Sequence, residues 1–235
     1  MTLEISTHRA IMIRILKDIF ADKTIGPFLG FKGGTAVYLF YNLPRFSVDL
    51  DFDLLDFEKR DYVFEQIEKI LKQYGQIKDQ DKKHENLFFN LSYTNKIDSA
   101  QNIKIDINSR QFGSKYEVKE YLGISMKVMV QEDMVAHKIM AMYERGDNTN
   151  RDIFDVHFFL KNNWPINKQI IESRSKLSYK EVIQKLVESL EEIKDRDMLS
   201  GLGELVDSEK EKDWIRTKLQ SETVFFLRLA LDNEK

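Results

Sequence analysis

The sequence predicts an α+β chain: a mixed sheet with flanking helices over residues 1–130, then an all-helical lobe over 131–235. One change of period and one glycine pair carry that reading. Leu87–Tyr93, Asn102–Asn108 and Ile124–Val130 alternate apolar and polar residues, as half-buried strands do. From Gln131 onward the apolar spacing is helical, with breaks near Asn148, Trp164–Pro165, Leu177, Leu199–Gly203 and Ser208. Gly33 and Gly34 stand between a short apolar run and a helical one, at a strand-to-helix turn. The joint near residue 130 is poor in glycine, so the two lobes are expected to pack together rather than swing on a free linker.

Taken in order, residues 6–22 place Ile11, Ile15, Leu16 and Ile19 at helical spacing, with Ser6 or Thr7 as N-cap. Phe28–Lys32 is a short apolar run ending at the glycines and reads as a strand. Thr35–Tyr41 reads as a helix closed by Pro44, and 42–46 as a loop. A strand follows over Ser47–Leu55. Val63, Phe64, Ile67, Ile70 and Leu71 then share one face of a helix over Phe57–Tyr74. In the helical lobe, Thr149 or Asn150 would cap the helix that contains RDIFDVHFFL. Phe225, Phe226, Leu229 and Trp214 form a last apolar stripe, expected in the core.

At 235 residues and 42% hydrophobic, the chain can build one large domain or two modest ones. Charged residues make up 32% yet leave a net charge of only −3, which excludes a globally basic nucleic-acid binder while leaving local patches open. Cysteine is absent, which excludes both a disulfide framework and a thiolate zinc site. No apolar run approaches a membrane span. The N-terminus is amphipathic, with Glu4 early and charges interleaved, unlike a signal peptide. A soluble, cytoplasmic protein is expected.

The chemistry concentrates in FKGGTAVYLFYNLPRFSVDLDFD, residues 31–53. Asp49, Asp51 and Asp53 alternate with Val48, Leu50, Phe52 and Leu54, so one strand face is apolar and the other is lined by carboxylates. Three like charges on one face repel unless a cation neutralises them. A solvated acidic edge strand is the bland alternative, but Leu50 and Phe52 argue for a well-buried opposite face. Carboxylates at this spacing suit Mg²⁺, which also takes substrate phosphate oxygens. Gly33 and Gly34 let backbone approach a ligand and open a helix whose amides attract phosphate. A phosphate cradle beside paired metal carboxylates is the chemistry of nucleotidyl transfer. Asp53 lies one step further along, where an acid near a strand end often caps a turn.

Other residues are open to two readings. Asp106 lies on the polar face of NIKIDINSR with Lys104 and Asn108, either as a general base or simply as one of three polar side chains that share that strand face. Lys138 interrupts an apolar helical stripe and needs either a partner or a snorkelling path to water. Asp152 is a first-turn acid that the helix dipole favours. Asp155 falls in the second turn, where capping does not explain it, although an i, i+4 pair with Arg151 would. His8, His84, His137 and His157 show no metal-ligand spacing, and none is expected to be catalytic.

KGGTAVYLFYNLPRFSVDLDF resembles the signature of polymerase-β-type nucleotidyltransferases. It is similar in particular to the AbiEii/AbiGii-type toxins, in which GGTAL followed by RxSxDLDF is typical. The similarity is dense over Lys32–Asp53 and returns at Gln131–Leu160. It implies a polymerase-β-type sheet followed by a helical lobe that completes the active site. It implies that Asp49 and Asp51 bind Mg²⁺ (or Mn²⁺), with Asp106 as the third carboxylate. Gly33, Gly34 and the Thr35 hydroxyl would hold phosphate oxygens. Arg45 would contact the triphosphate, as would Lys32 unless it is plain surface charge. Lys138 would meet nucleotide phosphates, and Asp155, in the Arg-x-x-x-Asp context of Arg151–Asp155, would complete the site. The implied activity is transfer of a nucleoside monophosphate from an NTP to RNA, tRNA foremost. The protein would be the toxin of a toxin–antitoxin or abortive-infection (phage-resistance) pair, with a cognate antitoxin as partner. A small-molecule acceptor such as an aminoglycoside is the alternative, against which the toxin-like wording of Arg45–Phe52 and Arg151–Leu160 stands. A non-catalytic NTP-binding module is another, and it would not need Thr35, Asp49, Asp51, Lys138 and Asp155 together.

Overall fold

The structure is a computed structural model that describes residues 4–93, 101–145, 150–193 and 197–232. Asn148 and Thr149, named above as a break and a cap, lie outside the described residues. The chain divides into two compact units. One holds Met1–Asn42, Phe46–Gln111 and Tyr116–Met129; the other holds Leu43–Arg45, Phe112–Lys115 and Val130–Lys235.

The first unit contains α1 (Ile5–Ala21), β1 (Leu29–Lys32), α2 (Gly33–Tyr41), β2 (Leu50–Leu54), α3 (Arg60–Leu71), β3 (Gln76–Lys83), β4 (Asn86–Ser92), β5 (Asn102–Asn108), β6 (Tyr116–Tyr121) and β7 (Ile124–Met129). The strands form one mixed seven-stranded sheet in the order β3-β4-β5-β2-β1-β7-β6. β2 runs parallel to β5 and β1 parallel to β7, while the other pairs are antiparallel. Register puts Phe31, Phe52, Phe89, Ile105 and Val128 on one face. All five are fully buried. Phe20 of α1 packs on Phe52 with ring centroids 6.2 Å apart, and Phe64 of α3 on Phe89 at 4.7 Å. The same alternation sends Gly30, Lys32, Asp51, Asp53, Asp106 and Asn108 to the opposite face.

Several boundaries differ from the sequence expectation for local reasons. β3 and β6, both unforeseen, are the two edges of the sheet, and their QIKDQDKK and YEVKEY carry the charges that edge strands tolerate. The β6–β7 hairpin turns at Leu122 and Gly123, both with positive φ, the backbone of a tight two-residue turn. α1 begins earlier than expected, with Glu4 rather than Ser6 or Thr7 at its N-cap and no side-chain cap bond. α2 begins at Gly33 and ends at Asn42, whose left-handed φ of 57° closes the helix ahead of Pro44. α3 is shorter than the stretch assigned to it. A 3₁₀ turn, Phe57–Lys59, precedes it and is capped by the Asp56 side chain.

The second unit contains α4 (Gln131–Glu144), α5 (Asn150–Lys161), α6 (Lys168–Ser175), α7 (Tyr179–Glu192), α8 (Glu209–Thr217) and α9 (Leu219–Asp232). Ser178 and Glu181 form a reciprocal capping box that starts α7. α5 packs on both α4 and α9, and Ile153, Val156 and Phe159 are buried there. The C-terminal stripe is only partly core. Trp214 and Phe226 pack on the His157 ring, but Phe225 and Leu229 are 60% and 42% exposed. α9 turns Thr223, Val224 and Leu227 inward, which leaves Phe225 and Leu229 on its outer side. Among the described residues no helix is long and apolar enough to cross a membrane.

Candidate active site

In the first unit Asp51 and Asp106 are register partners on the neighbouring parallel strands β2 and β5. Their side chains therefore leave the same sheet face, with the backbones about 4.8 Å apart. Asp106 also accepts from the Asn86 side-chain amide at 3.2 Å. Asp51 lies against the glycine turn. A Cβ added at Gly33 would stand 2.1 Å from Asp51 Oδ2, and Gly33 has φ +77°. The pair of constraints admits only glycine at that position. Gly34 is buried in the first turn of α2, and Lys32, at the N-cap, makes no side-chain cap bond to that turn.

Asp49 stands one residue ahead of β2 rather than inside it, so no ladder hydrogen bonds fix its backbone. Other groups fix it instead. Thr35 is fully buried; its hydroxyl donates to the Asp49 carbonyl at 2.5 Å and lies 3.0 Å from Ser47 Oγ. Expected at a phosphate oxygen, this hydroxyl is turned inward to hold the backbone of the first carboxylate. His8, on α1, is within 2.9 Å of the Val48 carbonyl through Nε2 and within 2.8 Å of the Tyr93 hydroxyl through Nδ1. Burial pushes its pKa down, and the Val48 bond and the Asp49 charge only partly offset that.

Asp53 is occupied. Lys32 Nζ and the Tyr116 hydroxyl each reach it at 2.5 Å. The Tyr116 ring crosses Gly30, where a Cβ would fall 2.2 Å from it. Lys32, considered above for the triphosphate, is thus an ion-pair partner of Asp53. Among the described residues no three His, Cys, Asp or Glu side chains are gathered closely enough to hold a metal. Asp51 and Asp106 form a side-by-side pair with oxygen donors only.

The second unit assembles a buried charge cluster. Arg45 binds Asp155 through two 2.7 Å hydrogen bonds, from Nε and a terminal nitrogen to separate carboxylate oxygens. Their side chains are 4% and 0% exposed. Lys138 Nζ lies 3.1 Å from both Asp155 and Asp152, and Arg145 lies 2.9 Å from Asp152. Burial alone would lower the Lys138 pKa, but Asp155 and Asp152 outweigh it and the ammonium is raised and firmly charged. An ammonium has three N–H donors; these two contacts use two, and the side chain keeps 19% exposure. The structure thus pairs Asp155 with Arg45 and Lys138 in place of Arg151. It makes Asp152 a member of the same cluster and not merely a first-turn acid. Arg45, expected at the triphosphate, is committed to Asp155.

Sequence reasoning did not single out His8 or Tyr116 for a role. His8 sits on the buried stripe of an amphipathic helix, and its partners are 40 and 85 positions away. Nothing local signals them. Tyr116 lies on an edge strand that the pattern did not reveal.

Comparisons with known proteins bear on this arrangement. The chain is similar in fold to a Helicobacter pylori protein solved as a candidate nucleotidyltransferase, with a TM-score of 0.58, 22% identity, and 100% and 99% of the two chains covered. It is also similar to JHP933 from Helicobacter pylori, at TM-score 0.55 and 23% identity over 100% and 96%. A third is MenT4, a nucleotidyltransferase toxin from Mycobacterium tuberculosis H37Rv, at TM-score 0.53 and 14% identity over 95% and 89%. No curated protein matches. The family model for the nucleotidyl transferase AbiEii toxin of type IV toxin–antitoxin systems matches residues 14–223. That match takes in most of both units, and the chain belongs to the AbiEii nucleotidyltransferase toxin family.

Proposed function

We propose that the chain is a Mg²⁺-dependent enzyme that moves a nucleoside monophosphate from an NTP to an RNA acceptor, tRNA in particular. It acts in the cytoplasm as the toxin of a pair whose antitoxin restrains it. The observation that carries this reading is the side-by-side pair of Asp51 and Asp106, with Asp51 set against the glycine turn that opens α2. Two carboxylates without a full protein cage suit Mg²⁺, which completes its shell with water and substrate phosphates. Asp51 and Asp106 would hold the ion, with Asp49 as the third carboxylate closing on it, and the ion would supply charge neutralisation for the attacking and leaving oxygens. The backbone N–H groups of Gly33 and Gly34 donate to the phosphate oxygens of the NTP. The acceptor hydroxyl gives its proton to Asp106 as its oxygen bonds to the α-phosphorus, and the bond to pyrophosphate breaks. In this reading Lys138 offers its remaining N–H to a phosphate. Asp155 and Asp152 hold that ammonium in place, Arg45 fixes Asp155, and Thr35 acts through Asp49. Residues 1–130 then form the catalytic lobe, and 131–235 supply Lys138, Asp152 and Asp155, with Arg45 reaching Asp155 from the earlier part of the chain.

The test mixes purified protein, Mg²⁺, each labelled NTP and total tRNA, and looks for label in the RNA band. Asp51→Asn keeps the shape and removes a metal-binding charge, so transfer should fall by roughly a hundredfold to a thousandfold or more. Wild-type expression should slow bacterial growth, and Asp51→Asn should not. Label appearing on an aminoglycoside but on no RNA would overturn the RNA acceptor.

A further inference from the structure

We propose that His8 is a positioning residue for the Asp49 carboxylate, holding from α1 the peptide that precedes it and so setting how tightly the site takes its divalent cation. The inference rests on the metal-dependent reading of Asp49 given above. Asp49 lies outside the strand ladder, which begins at Leu50. Two consecutive carbonyls anchor it instead: Val48, held by His8, and Asp49 itself, held by Thr35. Thr35 belongs to the motif turn, whereas His8 comes from a separate helix and precedes residues 14–223, the part that matches the family.

The geometry fixes the donor nitrogen. A carbonyl oxygen only accepts, so the proton must be on Nε2, which donates to Val48. In the neutral ring Nδ1 then accepts from the Tyr93 hydroxyl, and both nitrogens are used. Phe46 and Tyr93 pack edge-on against it at 5.7 and 5.5 Å, and it has no exposed surface. A ring needed only for packing would be replaceable by phenylalanine. A ring that positions Asp49 would not.

The experiment uses the full chain with a non-hydrolysable NTP analogue and reads Mn²⁺ binding from loss of the free-ion electron paramagnetic resonance signal. In parallel, the Mg²⁺ concentration for half-maximal transfer is measured. His8→Phe should weaken Mn²⁺ binding and raise the Mg²⁺ requirement by roughly tenfold or more, as expected for a part-buried carbonyl that loses its donor. His8→Gln, whose amide can still donate to Val48, should restore most of the affinity. Wild-type Mn²⁺ affinity in a folded His8→Phe protein would overturn the proposal. Should His8→Phe fail to fold, Tyr93→Phe decides. Weakened Mn²⁺ binding supports the positioning role, and unchanged binding overturns it. Wild-type protein that neither binds Mn²⁺ nor transfers label would overturn the metal-dependent reading itself, and this inference with it.

Discussion

Arg45 grips Asp155 through both carboxylate oxygens at 2.7 Å, although the two residues are separated by 110 positions in the chain. Lys138 sits on the same carboxylate at 3.1 Å. Bidentate, fully desolvated pairs of this kind are strong in place and costly to break on one side. Asp155→Asn would leave Arg45 and Lys138 short of one negative charge. It should lower the unfolding free energy by about 3–5 kcal/mol, read by denaturant titration. Lys138→Met should cost less, because Arg45 and Arg145 still face the two carboxylates. It should nevertheless weaken NTP binding. Equal stability loss in both variants, with NTP binding intact in Lys138→Met, would make the lysine purely structural.

Gly33→Ala tests the turn. A side chain there meets two penalties, the positive φ and the Asp51 carboxylate. Gly123 has φ +76° with open space around its α-carbon, so Gly123→Ala isolates the backbone cost, about 1–2 kcal/mol. Gly33→Ala should destabilise further and reduce transfer by roughly a hundredfold or more, because Asp51 must move. Transfer within a fewfold of wild type would mean that the contact with Asp51 does not matter for turnover.

Much of this fold was legible because the central strands alternate and the lobe after Gln131 does not. The carboxylates of β2 were legible too, since a period of two assigns Asp51 and Asp53 to one face without knowledge of any partner. What escaped was decided by distant neighbours. β3 and β6 are polar because they form sheet edges, and edge status is a property of the assembled sheet. Thr35 was expected to face outward as a phosphate donor. The Asp49 carbonyl, fourteen residues downstream, claims its hydroxyl. Arg45 and Asp155 were each expected at the site on separate grounds, but their pairing depends on tertiary placement that neither local sequence encodes.

Acid should weaken the fold through its buried histidines. His157 is 4% exposed, lies 3.1 Å from Glu222 and packs on Trp214 and Phe226. Burial lowers its pKa below the ordinary 6.5, more than Glu222 raises it, and burial lowers His8 likewise. The folded state therefore takes up these protons at lower pH than the unfolded state does. Their contribution is complete above pH 6.5 and is lost as pH falls through the lowered folded values. The unfolding free energy from denaturant titration should drop as pH falls from about 7 to 5, by at most about 1.4 kcal/mol per pH unit for each ring. His157→Phe should flatten part of that slope. An unchanged slope would assign the acid sensitivity to other groups.

The three strand acids should separate sharply by mutation. Asp53 lies on the same face as Asp51, but Lys32 and the Tyr116 hydroxyl already occupy it. Asp51 instead meets the glycine turn and stands beside Asp106. Asp53→Asn keeps the shape and a hydrogen-bond acceptor while removing the charge that Lys32 faces. Because the pair is only partly desolvated, the stability cost should be modest, about 1 kcal/mol. Transfer should stay within about tenfold of wild type, whereas Asp51→Asn and Asp106→Asn should each lose a hundredfold or more. A Mg²⁺ titration adds a second readout. Asp53→Asn should leave the half-saturating concentration unchanged, since the neutralised acid holds no ion. A rightward shift in Asp53→Asn as large as that in Asp49→Asn would make Asp53 a metal ligand, and the Lys32 pair would then have to open for turnover.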